Sequence, residues 1–92
     1  KAGIEMLTKV LASELAIFNV QVNAVAPGVV RTEFSKIFWE TKEFLDLVLK
    51  DTPAGRIAET QDVSNLVMFL LSSRSDFITG QTIAVDGGAS IV

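Results

Sequence analysis

The 92-residue chain is 49% apolar and 21% charged, carries a net charge of −3, and contains neither cysteine nor histidine. That length suits one small domain with a real core, while the missing residues exclude a disulfide scaffold and the usual zinc sites. A pI near 4.7 without any basic stripe argues against a nucleic-acid partner.

The mean hydropathy of +0.43 is high for so short a chain, and predicts faces that more protein must cover. The longest apolar run of the second long helix, Leu66 to Leu71, falls far short of the ~20 residues needed to span a membrane. No signal peptide is visible and the first residue is Lys1, so the expectation is a chain that begins within a longer protein or has been processed. Localisation is left open.

Residues 1–18 read as a helix. Ile4, Leu7, Leu11, Leu15 and Phe18 fall on one stripe, and Met6, Val10 and Ile17 on a second, which predicts two packing partners. Asn19 is suited to the left-handed conformation that ends a helix. Val20 to Ala26 is uncharged, and small or β-branched apart from Gln21 and Asn23, as expected of a strand buried on both faces. Pro27-Gly28 then ends it, because proline donates no ladder hydrogen bond and glycine adopts backbone angles closed to other residues. In a doubly wound sheet, ligands bind just beyond the carboxyl ends of the strands, where this turn would sit with the Thr32 hydroxyl at its rim. The plainer reading is an ordinary strand and an ordinary turn.

From Glu33 to Lys50, Phe34, Ile37, Phe38, Trp39, Phe44, Leu45, Leu47 and Leu49 mix with seven charged residues, predicting one or two short helices. Four of the seven aromatics lie here: Phe34, Phe38, Trp39 and Phe44. The segment is either an amphipathic helix sealing a core or a mobile lid over an apolar substrate. Pro53 and Gly55 mark a breaker between Asp51 and Arg56. A second long helix follows, with Thr60 as predicted N-cap and Asp62 in its positive first turn. Thr82 to Val85 is a short strand turned by Asp86-Gly87-Gly88. Strand, crossover helix and strand make a βαβ unit, and two parallel strands need further strands and helices around them.

In these residues the chain resembles the C-terminal half of the short-chain dehydrogenases/reductases. Lys1-Ala2-Gly3 with Leu7, Thr8, Leu11, Ala12 and Glu14 is similar to the helix that begins at the lysine of the family's Tyr-x-x-x-Lys motif. Val22-Asn23-Ala24-Val25 with Pro27-Gly28-x-Val30-x-Thr32 resembles its sixth strand and Pro-Gly motif. Pro53-x-Gly55-Arg56, Asp62-Val63, Phe69-Leu70-Leu71-Ser72, Ile78-Thr79-Gly80-Gln81 and Val85-Asp86-Gly87-Gly88 match the family's tail.

The resemblance implies an α/β fold, the C-terminal part of a Rossmann-type doubly wound parallel sheet. Residues 1–92 would be the C-terminal half of one NAD(P)-binding domain, with residues 33–56 as a helical substrate-loop insertion. It implies an oxidoreductase that moves a hydride between NAD or NADP and a carbonyl or secondary alcohol, working as a homodimer or homotetramer on a small-molecule substrate. Lys1 would be catalytic: an ammonium beside the family's tyrosine lowers the phenol pKa, and it would also bind the nicotinamide ribose. Pro27, Gly28, Val30 and Thr32 would contact the cofactor, the Val30 peptide pairing with the nicotinamide carboxamide. Phe34, Phe38, Trp39 and Phe44 would supply the substrate loop, and no metal is implied.

The chain departs from the family in having no tyrosine, no glycine-rich phosphate loop and no catalytic serine. The expectation is therefore a fragment inactive alone. The competing expectation is a truncated, non-catalytic interaction module built on its two-sided helices.

Overall fold

A computed structural model describes residues 2–91. In chain order it has α1 (Ala2–Leu15), a 3-10 turn (Ala16–Phe18), β1 (Ala24–Pro27), α2 (Lys36–Glu40), α3 (Lys42–Lys50), α4 (Thr60–Leu70), a 3-10 turn (Ser73–Ser75), β2 (Thr82–Val85) and a final 3-10 turn (Ala89–Ile91). β1 and β2 are hydrogen-bonded neighbours in one two-stranded sheet, and their pairing advances in the same direction along both chains, so they are parallel.

Two compact units make up the chain, one of residues 1–25 and 66–83, the other of 26–65 and 84–92. In the first, Asn19 takes the left-handed conformation (φ 58°) and its N–H donates to the Ala16 carbonyl, ending the helical run as expected. The buried line of α1 is Thr8 and Ala12, four residues apart. The predicted Ile4–Leu7–Leu11 stripe is exposed. Small residues win this position because Gly80 approaches closely: a Cβ built there would lie 3.5 Å from that of Ala12. Thr8 returns its hydroxyl to the Ile4 carbonyl at 2.7 Å, so it is buried without an orphaned donor.

The strand expected over Val20–Ala26 is shorter, with its regular part at Ala24–Pro27. The reason lies in side chains that take over the pairing before it. The Val22 N–H donates to the Thr79 hydroxyl, the Asn23 side-chain amide Nδ2 donates to the Ile78 carbonyl, and the Gln81 N–H donates to the Asn23 side-chain Oδ1. Regular ladder geometry yields where an asparagine can satisfy a neighbouring chain through its own amide.

In the second unit, residues 33–56 hold α2 and α3 joined at Thr41. α4 starts at Thr60, so Thr60 is its first helical residue rather than its cap. Glu59 occupies the cap, and the Asp62 carboxylate reaches back to the Glu59 N–H at 2.8 Å, half of a capping box. Among the described residues of this unit, Ile57 is the buried apolar one.

Candidate functional site

The site lies in the second unit, where the chain leaves β1. Pro27 is the last residue of β1. Gly28 donates its N–H to the Val85 carbonyl at 3.0 Å, and a Cβ at Gly28 would lie 3.0 Å from the Asp86 Cβ and 3.1 Å from its Cα. No larger side chain fits between these two strand ends unless the backbone moves.

Beyond Gly28 the chain stays extended. The Ala58 N–H donates to the Val29 carbonyl at 3.0 Å, and the Arg31 N–H donates to the Ala58 carbonyl at 2.8 Å, making an isolated parallel bridge between Val30 and Ala58. In a parallel bridge the flanking residues supply the bonds, so the N–H and C=O of Val30 itself point to the opposite edge. Among the described residues nothing hydrogen-bonds the Val30 N–H. Its carbonyl accepts from the Ser35 hydroxyl and has a second lone pair. One donor and one acceptor on the same edge, a single peptide apart, is the pattern that a primary carboxamide completes.

Thr32 stands two residues on. Its N–H meets the Ser35 Oγ at 3.1 Å, and its hydroxyl accepts the Ser35 N–H at 3.2 Å. The Trp39 indole N–H donates to the Thr32 carbonyl at 3.0 Å, and the Arg31 guanidinium carbon lies 4.9 Å from the Trp39 ring centre.

A cavity of about 620 Å³ opens where Gly28 and Val29 meet Ile57 and Ala58, and neither Val30 nor Thr32 lines it. α2 and α3 give it Phe38, Phe44, Leu47 and Val48, while Gly28, Val29, Ile57 and Val85 line the opposite side. Phe38 and Phe44 meet edge to face at 6.2 Å. Several of its polar residues are already satisfied within the chain. The Thr52 hydroxyl donates to the Val48 carbonyl, Arg56 and Asp62 pair through two hydrogen bonds, and Asp86 accepts from the Gly88 and Ser90 N–H groups. Hydrogen bonds from Arg56, and then from the Glu59 N–H, hold the Asp62 carboxyl down at about 2. The same pairing raises the Arg56 pKa. Hydrogen bonds from Ser90 and the Gly88 N–H lower that of Asp86. What faces the cavity is therefore largely hydrocarbon.

Of the residues singled out from sequence, Pro27, Gly28, Val30 and Thr32 lie in one continuous run along this edge. Phe38 and Phe44 line the cavity. Trp39 packs against Arg31 and Thr32 instead, and Phe34 is 99% exposed. Lys1 lies outside the described residues. Ser35 and Arg31 were not singled out from sequence. The Thr32-x-x-Ser35 spacing just before a helix is the signal for Ser35, whereas Arg31 gives none until the fold brings Trp39 and Glu59 beside it.

A parallel strand pair joined by a crossover helix, with a bare peptide edge beyond the strand end, is the architecture of a Rossmann-type α/β protein. The chain matches over residues 1–90 the family model described as enoyl-(acyl carrier protein) reductase, and it belongs to the short-chain dehydrogenase/reductase family. It is 43% identical over 91 residues to a tropinone reductase homolog of Arabidopsis thaliana, covering 99% of this chain and 34% of that one. Among solved structures, a short-chain type dehydrogenase/reductase from Mycobacterium ulcerans superposes with a TM-score of 0.94 at 38% identity, over 98% of this chain and 33% of its own. A gluconate 5-dehydrogenase from Burkholderia cenocepacia, in complex with NADP and tartrate, gives 0.92 at 37% identity, over all of this chain and 36% of its own. The chain thus spans about a third of the length of the relatives it matches.

Proposed function

We propose that this chain supplies the nicotinamide-facing edge and the substrate lid of an NAD(P)-dependent oxidoreductase, acting between a carbonyl compound and the corresponding secondary alcohol. The observation that carries the reading is the outward-facing Val30 peptide, its N–H unbonded among the described residues, in the run from Pro27 to Thr32. It fits the cofactor: the Val30 N–H and C=O would hold the carboxamide, Gly28 would keep the approach clear, and Thr32 would support the edge from its rim. Bound there, the nicotinamide would supply the hydride-carrying carbon. NAD and NADP are equally compatible with a peptide edge, which touches neither ribose phosphate.

Phe38 and Phe44 would cover the apolar part of the substrate, with residues 33–56 as the substrate loop within a single NAD(P)-binding domain. Lys1, by resemblance, would stand four residues after a tyrosine and hold its phenol toward the ionised form. In the full-length protein, ketone-dependent oxidation of NADH or NADPH is expected. Lys1→Met should lower kcat by about 10²- to 10⁴-fold and move the alkaline limb of the pH profile upward. Unchanged turnover in that variant would overturn the role of Lys1, and no cofactor oxidation with any ketone would overturn the reading itself.

The large exposed apolar surface favours a second component of the reading, subunit association as a homodimer or homotetramer through α1 and α4, where Ile4, Leu7, Met68 and, just after α4, Leu71 are each more than half exposed. The alternative, a non-catalytic interaction module, rests on the same surface. Intact mass of native material separates them. A 9.9 kDa species supports the module, and one roughly three times heavier, as the relatives' lengths imply, supports the enzyme.

A further inference from the structure

α2 has five residues, no buried side chain and no side-chain cap, too few for a helix to hold itself in water. Ile37 is 57% exposed, so burial does not fix the helix either. Beside the ring contact of Phe38 with Phe44 on α3, what fixes it are polar contacts to one short stretch of backbone. Ser35, just before α2, bonds the Val30 carbonyl and the Thr32 N–H. Trp39, within α2, donates its indole N–H to the Thr32 carbonyl at 3.0 Å.

Arg31, between those two backbone residues, holds the arrangement from the other side. Its guanidinium lies over the Trp39 ring at 4.9 Å and its Nε donates to Glu59 Oε2 at 3.1 Å. Its own N–H closes the bridge to Ala58. The edge at Val30, the lid helix and the loop at Ala58–Glu59 therefore meet at one side chain.

We infer that Trp39, clamped by Arg31, is a positioning residue that ties the seating of the lid to the orientation of the Val30 peptide. The inference rests on the reading that this peptide faces the nicotinamide. Under it, loosening Trp39 weakens recognition of the nicotinamide half of the cofactor while leaving the adenosine half untouched. Substrate covering and carboxamide pairing then become one event, because the backbone residue that holds the lid, Thr32, lies two residues from the one that pairs with the ligand.

The test uses the full-length protein with Trp39→Phe, which keeps a ring and loses the N–H, and Arg31→Met, which loses both the guanidinium stack and the Glu59 contact at an exposed position. Titrations of NADH, NADPH, and ADP-ribose or its 2′-phosphate are compared with amide exchange over residues 36–41. Each variant is expected to weaken the preferred dinucleotide by roughly three- to tenfold, the worth of one neutral hydrogen bond. ADP-ribose affinity stays at the wild-type value, and exchange speeds up at residues 36–41. Equal weakening of the dinucleotide and ADP-ribose, or of neither, overturns the inference. If the wild-type protein binds none of the three, the cofactor reading fails instead. The exchange measurement then still decides the tie itself: faster exchange at residues 36–41 supports it, and unchanged exchange overturns it.

Discussion

The Asp62 carboxylate accepts two hydrogen bonds from Arg56, at 2.8 and 3.1 Å, and one from the Glu59 N–H at 2.8 Å. One oxygen pair thereby caps α4 and pins the loop that carries Ile57 and Ala58 to the Val30 edge. All three bonds favour the ionised form, which is why the pKa falls from 3.8 to about 2. A depressed folded-state pKa means the stabilisation is complete above the unfolded value and is lost as pH falls through the folded one. Asp62→Asn should therefore destabilise the protein by a constant amount above pH 3.8, and the gap to wild type should close as pH falls through about 2. Denaturant titrations at a series of pH values check this, and a gap independent of pH down to its lowest point would sink it.

The elements differ in what holds them. β1 and β2 are four residues each and depend on the parallel pairing of their neighbours, whereas α2 and α3 depend on contacts between side chains. Phe38 on α2 and Phe44 on α3 form the edge-to-face pair that joins the two lid helices. Such a pair contributes about 0.5–1.5 kcal/mol beyond its buried area. A double-mutant cycle with Phe38→Ala and Phe44→Ala, read by denaturant unfolding, should return a coupling of about that size. Additive losses would mean that α2 and α3 are not packed through these rings. The amphipathic pattern of residues 33–50 announced helices here, and the break at Thr41 is a tertiary outcome that lets both rings reach one cavity.

For the whole molecule the decisive fact is how little apolar surface is hidden. Among the described residues, only Ala12 and Ile57 are buried hydrophobics, against 19 large apolar side chains left exposed. Monomeric soluble domains rarely leave patches on that scale uncovered. The chain also spans about a third of its relatives' length, and the proposed enzyme would cover these faces with the rest of its sheet and with partner subunits. The 92-residue polypeptide alone should bind a hydrophobic dye strongly and self-associate progressively with rising concentration in sedimentation, while the full-length protein binds little dye and sediments as one oligomer of fixed size. A dye-silent, cooperatively unfolding monomer of the short chain would contradict that.

Sequence by itself determined the class of fold, the helix stop at Asn19, the turn at Asp86–Gly88 and the run from Pro27 to Thr32, because each follows from local backbone freedom and short-range periodicity. The family resemblance was legible for the same reason, since its motifs are strings of neighbours. Only the tertiary structure decided which line of α1 is buried, that Asn23 replaces ladder pairing, and that Phe38 and Phe44 line the cavity while Trp39 turns to Arg31. Those choices depend on groups far apart in the chain: Gly80 against Ala12, Ile78 and Gln81 against Asn23, and Glu59 beside Arg31. Periodicity along a sequence carries no information about which of two apolar faces a distant glycine will approach.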